Sequence, residues 1–286
     1  MKINKKAALH NLGCKVNAYE TEAMQQILEN AGYEIVPFTE YADVYVVNTC
    51  SVTNMADRKS RQMLHKAKKM NPDAIVVGAG CYVQTKEAEA LLDDTVDIVI
   101  GNNKKHELLS MLEAYENDHG KCGNVIDINH EKQEYEEMFL ERTAEHTRAF
   151  IKVQDGCNQF CSYCIIPFAR GRVRSRNSED VIREVKRLAE HGFREIVLTG
   201  IHLSSYGVDT GDNLLHLIRE VHKVLPDTAI WLGGPEVSYD AWKLRTENCD
   251  GWICGGTCRT AKDLSAFPSF LTERMRCHTA AHEPQI

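Results

Sequence analysis

Three short apolar runs in the first part of the sequence each lead into a cysteine and then into a helical pattern. The runs and their cysteines are residues 7–12 with Cys14, residues 44–47 with Cys50, and residues 75–80 with Cys81. Strands and helices that alternate in this way are typical of a parallel sheet with right-handed crossovers. Because the carboxyl ends of parallel strands lie along one edge of the sheet, we expect the three cysteines to converge there.

Taken singly, each of these cysteines could equally be a core residue, because free cysteine is often buried. Their shared position after a strand favours a common site. Cys14 and Cys50 are 36 residues apart (50 − 14), and Cys50 and Cys81 are 31 apart (81 − 50), which is about one strand–helix unit each time. The next unit, with a strand at residues 96–100, has no cysteine after its strand. We interpret Cys122, in a turn beyond the last helix of this part, as an incidental surface thiol.

A second group of cysteines is confined to eight residues, Cys157-Asn-Gln-Phe-Cys161-Ser-Tyr-Cys164, with the spacing CxxxCxxC. The apolar stretch at residues 149–153 predicts that these cysteines also follow a strand. Soft thiolates this close together can surround one metal centre. Both groups have three cysteines and no evident fourth ligand, which is typical of a reactive site with an open position rather than of a closed structural site.

Zinc and iron–sulfur clusters are the competing interpretations of such cysteines. A structural zinc site usually pairs one C-x₂-C motif with a second pair or with histidines, and no such partner follows Cys164 at the usual distance. Iron–sulfur clusters require thiolates and tolerate close, irregular spacings. We therefore favour a 4Fe-4S cluster in which one iron has no protein ligand. The alternative is a non-catalytic metal-binding protein that binds RNA or senses redox state.

The composition is that of a globular protein with reduced thiols. The chain has 286 residues, 43% hydrophobic and 26% charged, which is enough for two domains. It has 11 cysteines, and we find no secretory signal and no apolar run of membrane-spanning length. We therefore expect a cytoplasmic protein without a membrane partner. The net charge of −7 argues against indiscriminate coating of nucleic acid.

The fold class predicted from these patterns is α/β, with a parallel-sheet domain followed by a (β/α) barrel or open half-barrel. Strand and helix patterns continue after the second cysteine group, with a helix from Ser178, a strand at residues 195–199 and a helix at residues 214–224. An acidic stretch separates the two halves and predicts a linker. The predicted parts are residues 1–130, the linker 131–146, a half-barrel at 147–228 and an atypical tail at 229–286.

Several motifs resemble those of the radical S-adenosylmethionine (SAM) methylthiotransferases. The CxxxCxxC run with Tyr163 before its last cysteine is similar to the radical SAM signature, and the resemblance extends over residues 7–228. Two further runs, residues 13–22 and residues 198–207, look most like the threonylcarbamoyladenosine tRNA methylthiotransferases. The motifs shared with the methylthiotransferases are Gly13-Cys14-Lys-Val-Asn17, Asn48-Thr-Cys50-Ser-Val-Thr53, Gly80-Cys81, Gly156-Cys157-Asn and Arg170-Gly-Arg172.

The resemblance implies two 4Fe-4S clusters, each with an exchangeable iron. The first would chelate SAM and cleave it to a radical, and the second, auxiliary cluster would carry sulfur. The implied product is a 2-methylthio derivative of N6-threonylcarbamoyladenosine next to the tRNA anticodon, with methyl from a second SAM. The implied partners are tRNA and an electron donor such as flavodoxin or ferredoxin. The implied ligands are Cys157, Cys161 and Cys164 for the SAM cluster, and Cys14, Cys50 and Cys81 for the auxiliary cluster.

The resemblance also implies further contacts. Tyr163 and Gly200 are assigned to SAM binding, Gly200 because it lies where the family has a glycine motif for the SAM amino group. Four arginines lie in residues 170–176. Such a run is as readily a solvated or ion-paired loop, but beside a cluster the guanidinium groups suit an RNA backbone or the SAM carboxylate. The arginines assigned to substrate are Arg170, Arg172 and Arg174.

The resemblance ends at about Ala229. The remaining barrel strands and the small C-terminal RNA-binding domain typical of the family are not recognisable, so we expect an incomplete barrel and an uncertain activity, with an inactive fragment of the enzyme as one alternative. The tail has four cysteines, and Cys254 and Cys258 could be a ligand pair. An unrelated or frame-shifted tail with stray cysteines explains them more simply.

Overall fold

The computed structural model confirms the alternation of strands and helices that the sequence predicts. It describes residues 5–130, 133–140, 148–193, 195–226, 231–233, 251–254 and 257–258. The chain divides into two compact units, Met1–Leu214 and Leu215–Ile286. Most of the predicted tail, including Cys249 and Cys277, lies outside the described residues.

The first sheet has six parallel strands in the order β2-β1-β3-β4-β5-β6. Its strands are β1 (Lys6–Asn11), β2 (Glu34–Ile35), β3 (Val44–Thr49), β4 (Ile75–Gly80), β5 (Ile98–Ile100) and β6 (Cys122–Asn124). The helices between them are α1 (Lys15–Asn30), α2 (Asn54–Met70), α3 (Cys81–Thr85), α4 (Glu87–Leu92) and α5 (Leu108–Asp118), the last preceded by a 3₁₀ turn at Lys105–Glu107.

Both faces of this sheet are buried, as expected for parallel strands covered by crossover helices. Successive strand residues point to opposite sides, so Ala7 and Val46 belong to one apolar cluster whereas Ala8 and Val47 belong to the other. The first cluster includes side chains of α1 and α5, and the second those of α2, α3 and α4. The sheet is therefore held rigidly, and its carboxyl edge presents loops in fixed positions.

Two details of this part differ from the prediction. Cys122 is the first residue of β6 rather than a surface thiol in a turn, and it is half-buried against the core. Directly after β4, an additional short helix, α3, begins at Cys81 itself and precedes α4. The composition of β6, Cys-Gly-Asn, has little strand propensity, so this strand depends on its pairing with β5.

The second sheet has three strands in the order β8-β7-β9. The long strand β7 (Arg148–Asp155) pairs in parallel with β9 (Glu195–Gly200) and antiparallel with β8 (Arg174–Ser175). The helices of this part are α6 (Ile166–Arg170) and α7 (Ser178–Glu190), with a 3₁₀ turn at Leu203–Ser205. Helix α1 contacts β7 as well as β1, so one helix serves both sheets.

The predicted linker is packed where the structure describes it, at residues 133–140. Met138 and Leu140 are buried in the apolar cluster that α1 and α5 cover. Glu136 is also buried and accepts hydrogen bonds from the backbone and ring nitrogens of His106. The acidic composition predicts a linker, but residues 133–140 are packed as part of the fold.

Beyond helix α8 (Leu214–Val224), the second unit is described at three short strands. These are β10 (Trp231–Gly233), β11 (Gly251–Cys254) and β12 (Thr257–Cys258). Strand β11 pairs in parallel with β10 and antiparallel with β12. In the described part of the chain, no helix combines the length and the apolar character needed to cross a membrane.

Candidate functional site

The first cysteine triplet lies at the carboxyl edge of the six-stranded sheet. Cys14 is the N-cap of α1, Cys50 follows β3 directly, and Cys81 begins α3 directly after β4. They follow the three neighbouring strands β1, β3 and β4, and the Cys81 and Cys14 thiols add to burial in raising the pKa of Cys50. The structure thus brings this triplet together, as predicted from the topology. Their role as cluster ligands stays a prediction.

A steric contact explains why a glycine precedes Cys14 in the Gly-Cys motif. The φ of Gly13 is +103°, and a Cβ atom at this position would lie 2.9 Å from the Sγ atom of Cys50. The backbone before Cys14 therefore passes directly against the Cys50 thiol, which only glycine permits. Cys50 and Cys81 are buried whereas Cys14 is exposed, so the triplet has one open side.

The second triplet lies in the loop between β7 and α6. The backbone N–H of Cys157 donates to the carbonyl of Gly171 at 3.0 Å, and that of Cys164 donates to the carbonyl of Cys161 at 2.9 Å. Cys161 is exposed, and the other two are half-buried. The backbone thus holds a loop of accessible thiols at the carboxyl end of a parallel strand, where α/β proteins place their sites.

The turn before Cys157 is closely packed. Gly156 has a φ of +70°, and a Cβ atom there would lie 1.9 Å from the carbonyl oxygen of Arg172. On the other side of Cys157, the Asn158 side chain accepts a hydrogen bond from the N–H of Val173 at 3.1 Å. The cysteine loop is therefore fixed against the segment that contains the arginine run.

The two residues assigned to SAM occupy different environments. The side chain of Tyr163 is 90% exposed, within the cysteine loop. Gly200 packs against Gln154, whose Cβ and Oε1 atoms would each lie 2.9 Å from an added Cβ. Gln154 in turn donates to the carbonyls of Asp155 and Gly156, both at 2.7 Å. Gly200 thus supports the turn before Cys157, and its contact with SAM stays a prediction.

The structure corrects the assignment of the arginine run to substrate. Arg170 and Arg174 are buried, 0% and 3% exposed, and therefore cannot reach an RNA backbone directly. Arg172 is exposed, with its guanidinium 4.3 Å from the ring centroid of Phe160. The ion-paired alternative is correct for Arg170, and Arg172 alone stays a candidate for substrate contact.

Glu20 is the centre of a buried ion network that joins the two sheets. Its carboxylate accepts hydrogen bonds from Lys105 Nζ at 2.6 Å, Lys152 Nζ at 2.9 Å and Arg170 Nη1 at 3.0 Å. Asp155, one residue before Gly156, accepts from Arg170 at 3.0 Å and from Lys152 at 3.2 Å. Side chains from α1 and the 3₁₀ turn before α5 thus meet side chains from β7 and α6.

Charge balance keeps this network ionised. Burial alone would raise the pKa of Glu20, but Arg170, Lys105 and Lys152 outweigh it and hold the pKa well below its ordinary value. The pKa of Asp155 is lowered for the same reason, chiefly by Arg170 against the opposing effect of burial. The ion pairs join four cations (Lys105, Lys152, Arg170 and Arg174) to two carboxylates (Glu20 and Asp155). A third buried carboxylate, Glu136, also acts on Lys152, and positive charge is still in excess.

That excess positive charge lies next to the first cysteine triplet. The charges of Cys81 and Cys14 contribute to the raised pKa of Arg170, although burial opposes them. Asn17 completes the connection, because its Oδ1 atom accepts from Arg170 Nη2 and lies 3.9 Å from the Sγ atom of Cys14. Asn17 also donates to the carbonyls of Leu12 and Thr49 at 2.7 and 3.0 Å, which fixes the ends of β1 and β3. These surroundings suit anionic sulfur ligands.

A second buried contact holds the halves together. Arg176, the last of the arginine run and 0% exposed, donates to Glu184 on α7. Tyr19 of α1 donates to the carbonyl of Met138 and lies within hydrogen-bonding distance of Glu184. The run of arginines is therefore mainly a structural feature of the junction between the two sheets.

Sequence reasoning missed Glu20, Lys152 and Asp155 as parts of the site. Two of them had a signal, since Glu20 interrupts the apolar face of α1 and Lys152 interrupts an apolar strand. A charge at a buried position of a regular pattern indicates a buried partner. The partner itself could not be predicted, because Lys152 lies 132 residues from Glu20 in the sequence.

The cysteines do not form a single-ion site in the described residues. Nowhere in that part of the chain do three or more His, Cys, Asp or Glu side chains surround a point that could hold one metal ion. A 4Fe-4S cluster places its cysteine ligands on different iron atoms, so their sulfurs lie farther apart than the ligands of one ion. The all-thiol donor sets and the positive surroundings fit such a cluster better than zinc.

Both halves of the chain match models of known protein families. A model described as "Uncharacterized protein family UPF0004" matches residues 6–101, and a model of the radical SAM superfamily matches residues 151–235. Threonylcarbamoyladenosine tRNA methylthiotransferase MtaB of Bacillus subtilis is 46% identical over 215 residues, which are 75% of this chain and 48% of that protein. The chain belongs to the radical SAM methylthiotransferase family. The recognition of this family from its cysteine motifs is confirmed.

Other members of this family match in the same way. MtaB of Aquifex aeolicus is 46% identical over 219 residues, 77% of this chain and 53% of that protein. A tRNA-2-methylthio-N(6)-dimethylallyladenosine synthase of Moorella thermoacetica is 34% identical over 232 residues, 78% of this chain and 52% of that protein. The chain spans about half the length of the curated relatives it matches.

Solved structures confirm the fold class. The methyltransferase TsrM of Kitasatospora setae, in a structure with cobalamin and a [4Fe-4S] cluster, matches with a TM-score of 0.53 and 16% identity over 83% of this chain and 57% of that one. A second TsrM structure, with tryptophan and aza-SAM, matches with a TM-score of 0.59 and 17% identity over 95% of this chain and 65% of that one. The shared feature is an α/β radical SAM fold.

Proposed function

We propose that this chain carries the catalytic centre of a tRNA methylthiotransferase that converts N6-threonylcarbamoyladenosine next to the anticodon to its 2-methylthio derivative. The observation that carries the proposal is the pair of three-cysteine groups, each at the carboxyl end of parallel strands. One buried network lies beside Cys14, through Asn17, and includes Asp155, two residues before Cys157. The names of the MtaB relatives support this substrate.

The two cysteine groups would have different roles in the proposed reaction. Cys157, Cys161 and Cys164 would hold a SAM-chelating 4Fe-4S cluster, and the edge triplet Cys14, Cys50 and Cys81 would hold an auxiliary one. When bound, these groups supply an electron that cleaves SAM and a sulfur for transfer. Three thiolates per site leave one iron of each cluster open, which suits both tasks.

The other residues orient this centre. Arg170 and Asp155 form a buried ion pair directly behind the SAM-cluster loop, and Arg170 also contacts Asn17 beside Cys14. This pairing fixes the relative positions of the two cysteine groups. The exposed side chains of Tyr163 and Arg172 lie on the solvent side of the loop, where SAM or the substrate nucleotide would approach.

The partners follow from this function. The substrate would be tRNA, the reductant a flavodoxin- or ferredoxin-type protein, and the location the cytoplasm. The exposed guanidinium of Arg172 next to Phe160 is suited to stack on a base or pair with a phosphate.

The decisive test of the substrate is mass spectrometry of tRNA nucleosides from a strain that lacks its own methylthiotransferase and expresses this chain. We expect 2-methylthio-N6-threonylcarbamoyladenosine to appear, and the Cys50→Ala variant to abolish it. If the chain is produced and binds both clusters while the methylthio nucleoside stays absent, the proposed function is wrong for this chain.

The assignment of the two clusters has a separate test. The Cys157→Ala variant should lose reductive cleavage of SAM to 5′-deoxyadenosine, whereas Cys50→Ala should keep it, since only the first residue is assigned to the SAM cluster. Chromatography of 5′-deoxyadenosine from anaerobic assays measures both. Retained cleavage in Cys157→Ala would show that the assignment is reversed or wrong.

A further inference from the structure

Asn102 lies at the same sheet edge as the first cysteine triplet, two residues after β5. Its side chain is fully buried and has three partners. The Nδ2 atom lies 3.5 Å from the Sγ atom of Cys81 and 2.7 Å from the carbonyl oxygen of Ala169, and the Oδ1 atom lies 2.7 Å from Lys105 Nζ. The other three units have a cysteine just after their strand, whereas the unit of β5 has Asn102 at this position.

The orientation of this amide is fixed by chemistry. Lys105 Nζ can only donate, and the Ala169 carbonyl can only accept. A flipped amide would place its NH₂ group against the ammonium and its oxygen against the carbonyl. Asn102 must therefore direct its NH₂ group toward Ala169, and the second N–H of that group points at the sulfur of Cys81.

The position of the amide is fixed as well. The backbone N–H of Asn102 donates to Gln84 Oε1 at 2.8 Å, and Gln84 belongs to the short helix α3 that Cys81 begins. Lys105 is itself held by Glu20 at 2.6 Å. The donor is therefore pre-organised on Cys81, and its other N–H contacts Ala169, the neighbour of Arg170 at the end of α6.

We propose that Asn102 is a positioning residue of the auxiliary cluster, whose N–H group donates to the Cys81 thiolate and sets the reduction potential of that cluster. The inference rests on the proposed function, because it requires an auxiliary cluster on Cys81. A hydrogen bond to a cluster sulfur stabilises the reduced state, which has the more negative charge. Through Ala169, the same amide connects the auxiliary cluster to the helix that follows the SAM-cluster loop.

The test uses the full chain with Cys157, Cys161 and Cys164 all replaced by alanine, so that only the auxiliary cluster remains. Its reduction is titrated anaerobically with EPR detection, in this background and with Asn102→Ala or Asn102→Asp added. We expect both added changes to make reduction harder, by about tenfold or more in the reduction equilibrium, which is about 59 mV for one electron. Asn102→Asp should shift it further, because it adds a carboxylate.

Asn103→Asp is the matched control. Asn103 is adjacent, is also buried, and donates to Gln133 at 2.9 Å rather than to a cysteine. We expect its shift to be smaller than that of Asn102→Ala. Resonance Raman spectra add a second readout, because H/D exchange should shift the iron–cysteine stretching bands in the background protein and leave them less affected in Asn102→Ala.

The possible outcomes separate the two proposals. Iron and sulfide content shows first whether the background binds its cluster, and a chain without it would overturn both the inference and the proposed function. A bound cluster whose potential is unchanged in Asn102→Ala and Asn102→Asp would overturn the inference alone. If Asn102→Asp does not fold, the potential of Asn102→Ala decides.

Discussion

At the scale of single residues, buried charge in this protein is of two kinds. Glu20 is buried with three cations around it, and its pKa lies well below the ordinary value. Glu22, two positions along the same helix, has a buried oxygen without a hydrogen-bond partner in the described residues, and burial raises its pKa to about 7. The first carboxylate holds the fold together when ionised, and the second opposes it.

Because the pKa of Glu22 is raised, we expect the stability of the fold to fall as pH rises. Its folded-state pKa of about 7 lies above the ordinary value of 4.5, so folding favours the protonated form, and stability falls between those two values as the group ionises. Glu22→Gln should remove this part of the pH dependence and raise Tm at about pH 8. The exposed Glu29→Gln on the same helix is the control. An equal pH dependence of Tm in Glu22→Gln and the wild type would contradict the prediction.

Replacing Glu20 should destabilise the fold, whereas replacing Glu22 should stabilise it at high pH. The Glu20→Gln variant leaves Lys105, Lys152 and Arg170 with one carboxylate fewer in a buried site. We expect it to lower the free energy of unfolding by about 3–5 kcal/mol, as measured by anaerobic urea denaturation of the apo chain. Glu29→Gln should change it by less than about 0.5 kcal/mol. A Glu20→Gln cost as small as that of the control would mean that the network is not a stabilising one.

At the scale of elements, periodicity predicted most of the first domain because each strand is a continuous apolar run and each helix has one apolar face. The strands before Cys14, Cys50 and Cys81 were predicted within a residue or two. Strand β6 and the packed segment 133–140 were not, because their residues have weak local preferences and are held by contacts from elsewhere in the chain.

The candidate site could be predicted only as far as its cysteines. A thiol after a strand is visible in the sequence, whereas the donor to Cys81 is an asparagine 21 residues away, oriented by Lys105. The burial of Arg170 was also hidden, because a run of arginines next to a cluster reads equally well as a surface for RNA. Its partners Glu20 and Asp155 lie in α1 and β7, which are far apart in the sequence.

The loop before Cys14 gives a prediction about one element. Gly13→Ala should weaken binding of the auxiliary cluster, because the added Cβ would meet Cys50 Sγ at 2.9 Å. Iron and sulfide content in the background without the SAM-cluster cysteines measures it. Gly192→Ala is the matched control, since Gly192 also has a positive φ, +84°, but no atom lies within 4 Å of its added Cβ. Equal losses in both variants would mean that backbone strain, not the thiol contact, is responsible.

At the scale of the whole molecule, the two cysteine groups belong to one structural unit. Helix α1 packs between the two sheets and contributes Asn17, Tyr19 and Glu20 to contacts with both. The two cysteine groups are therefore held relative to each other by buried ion pairs rather than by a flexible connection. This arrangement suits the proposed reaction, in which a radical formed at one site and sulfur held at the other would meet on one nucleotide.

The central claim is that each cysteine triplet holds its own 4Fe-4S cluster, and iron and sulfide analysis with Mössbauer spectroscopy after anaerobic reconstitution tests it most directly. The account predicts about eight iron and about eight sulfide per wild-type chain, because each cluster supplies four of each. The Cys14/Cys50/Cys81→Ala and Cys157/Cys161/Cys164→Ala variants should each retain about half. Zinc without sulfide, or one triple variant that retains all the iron, would contradict it.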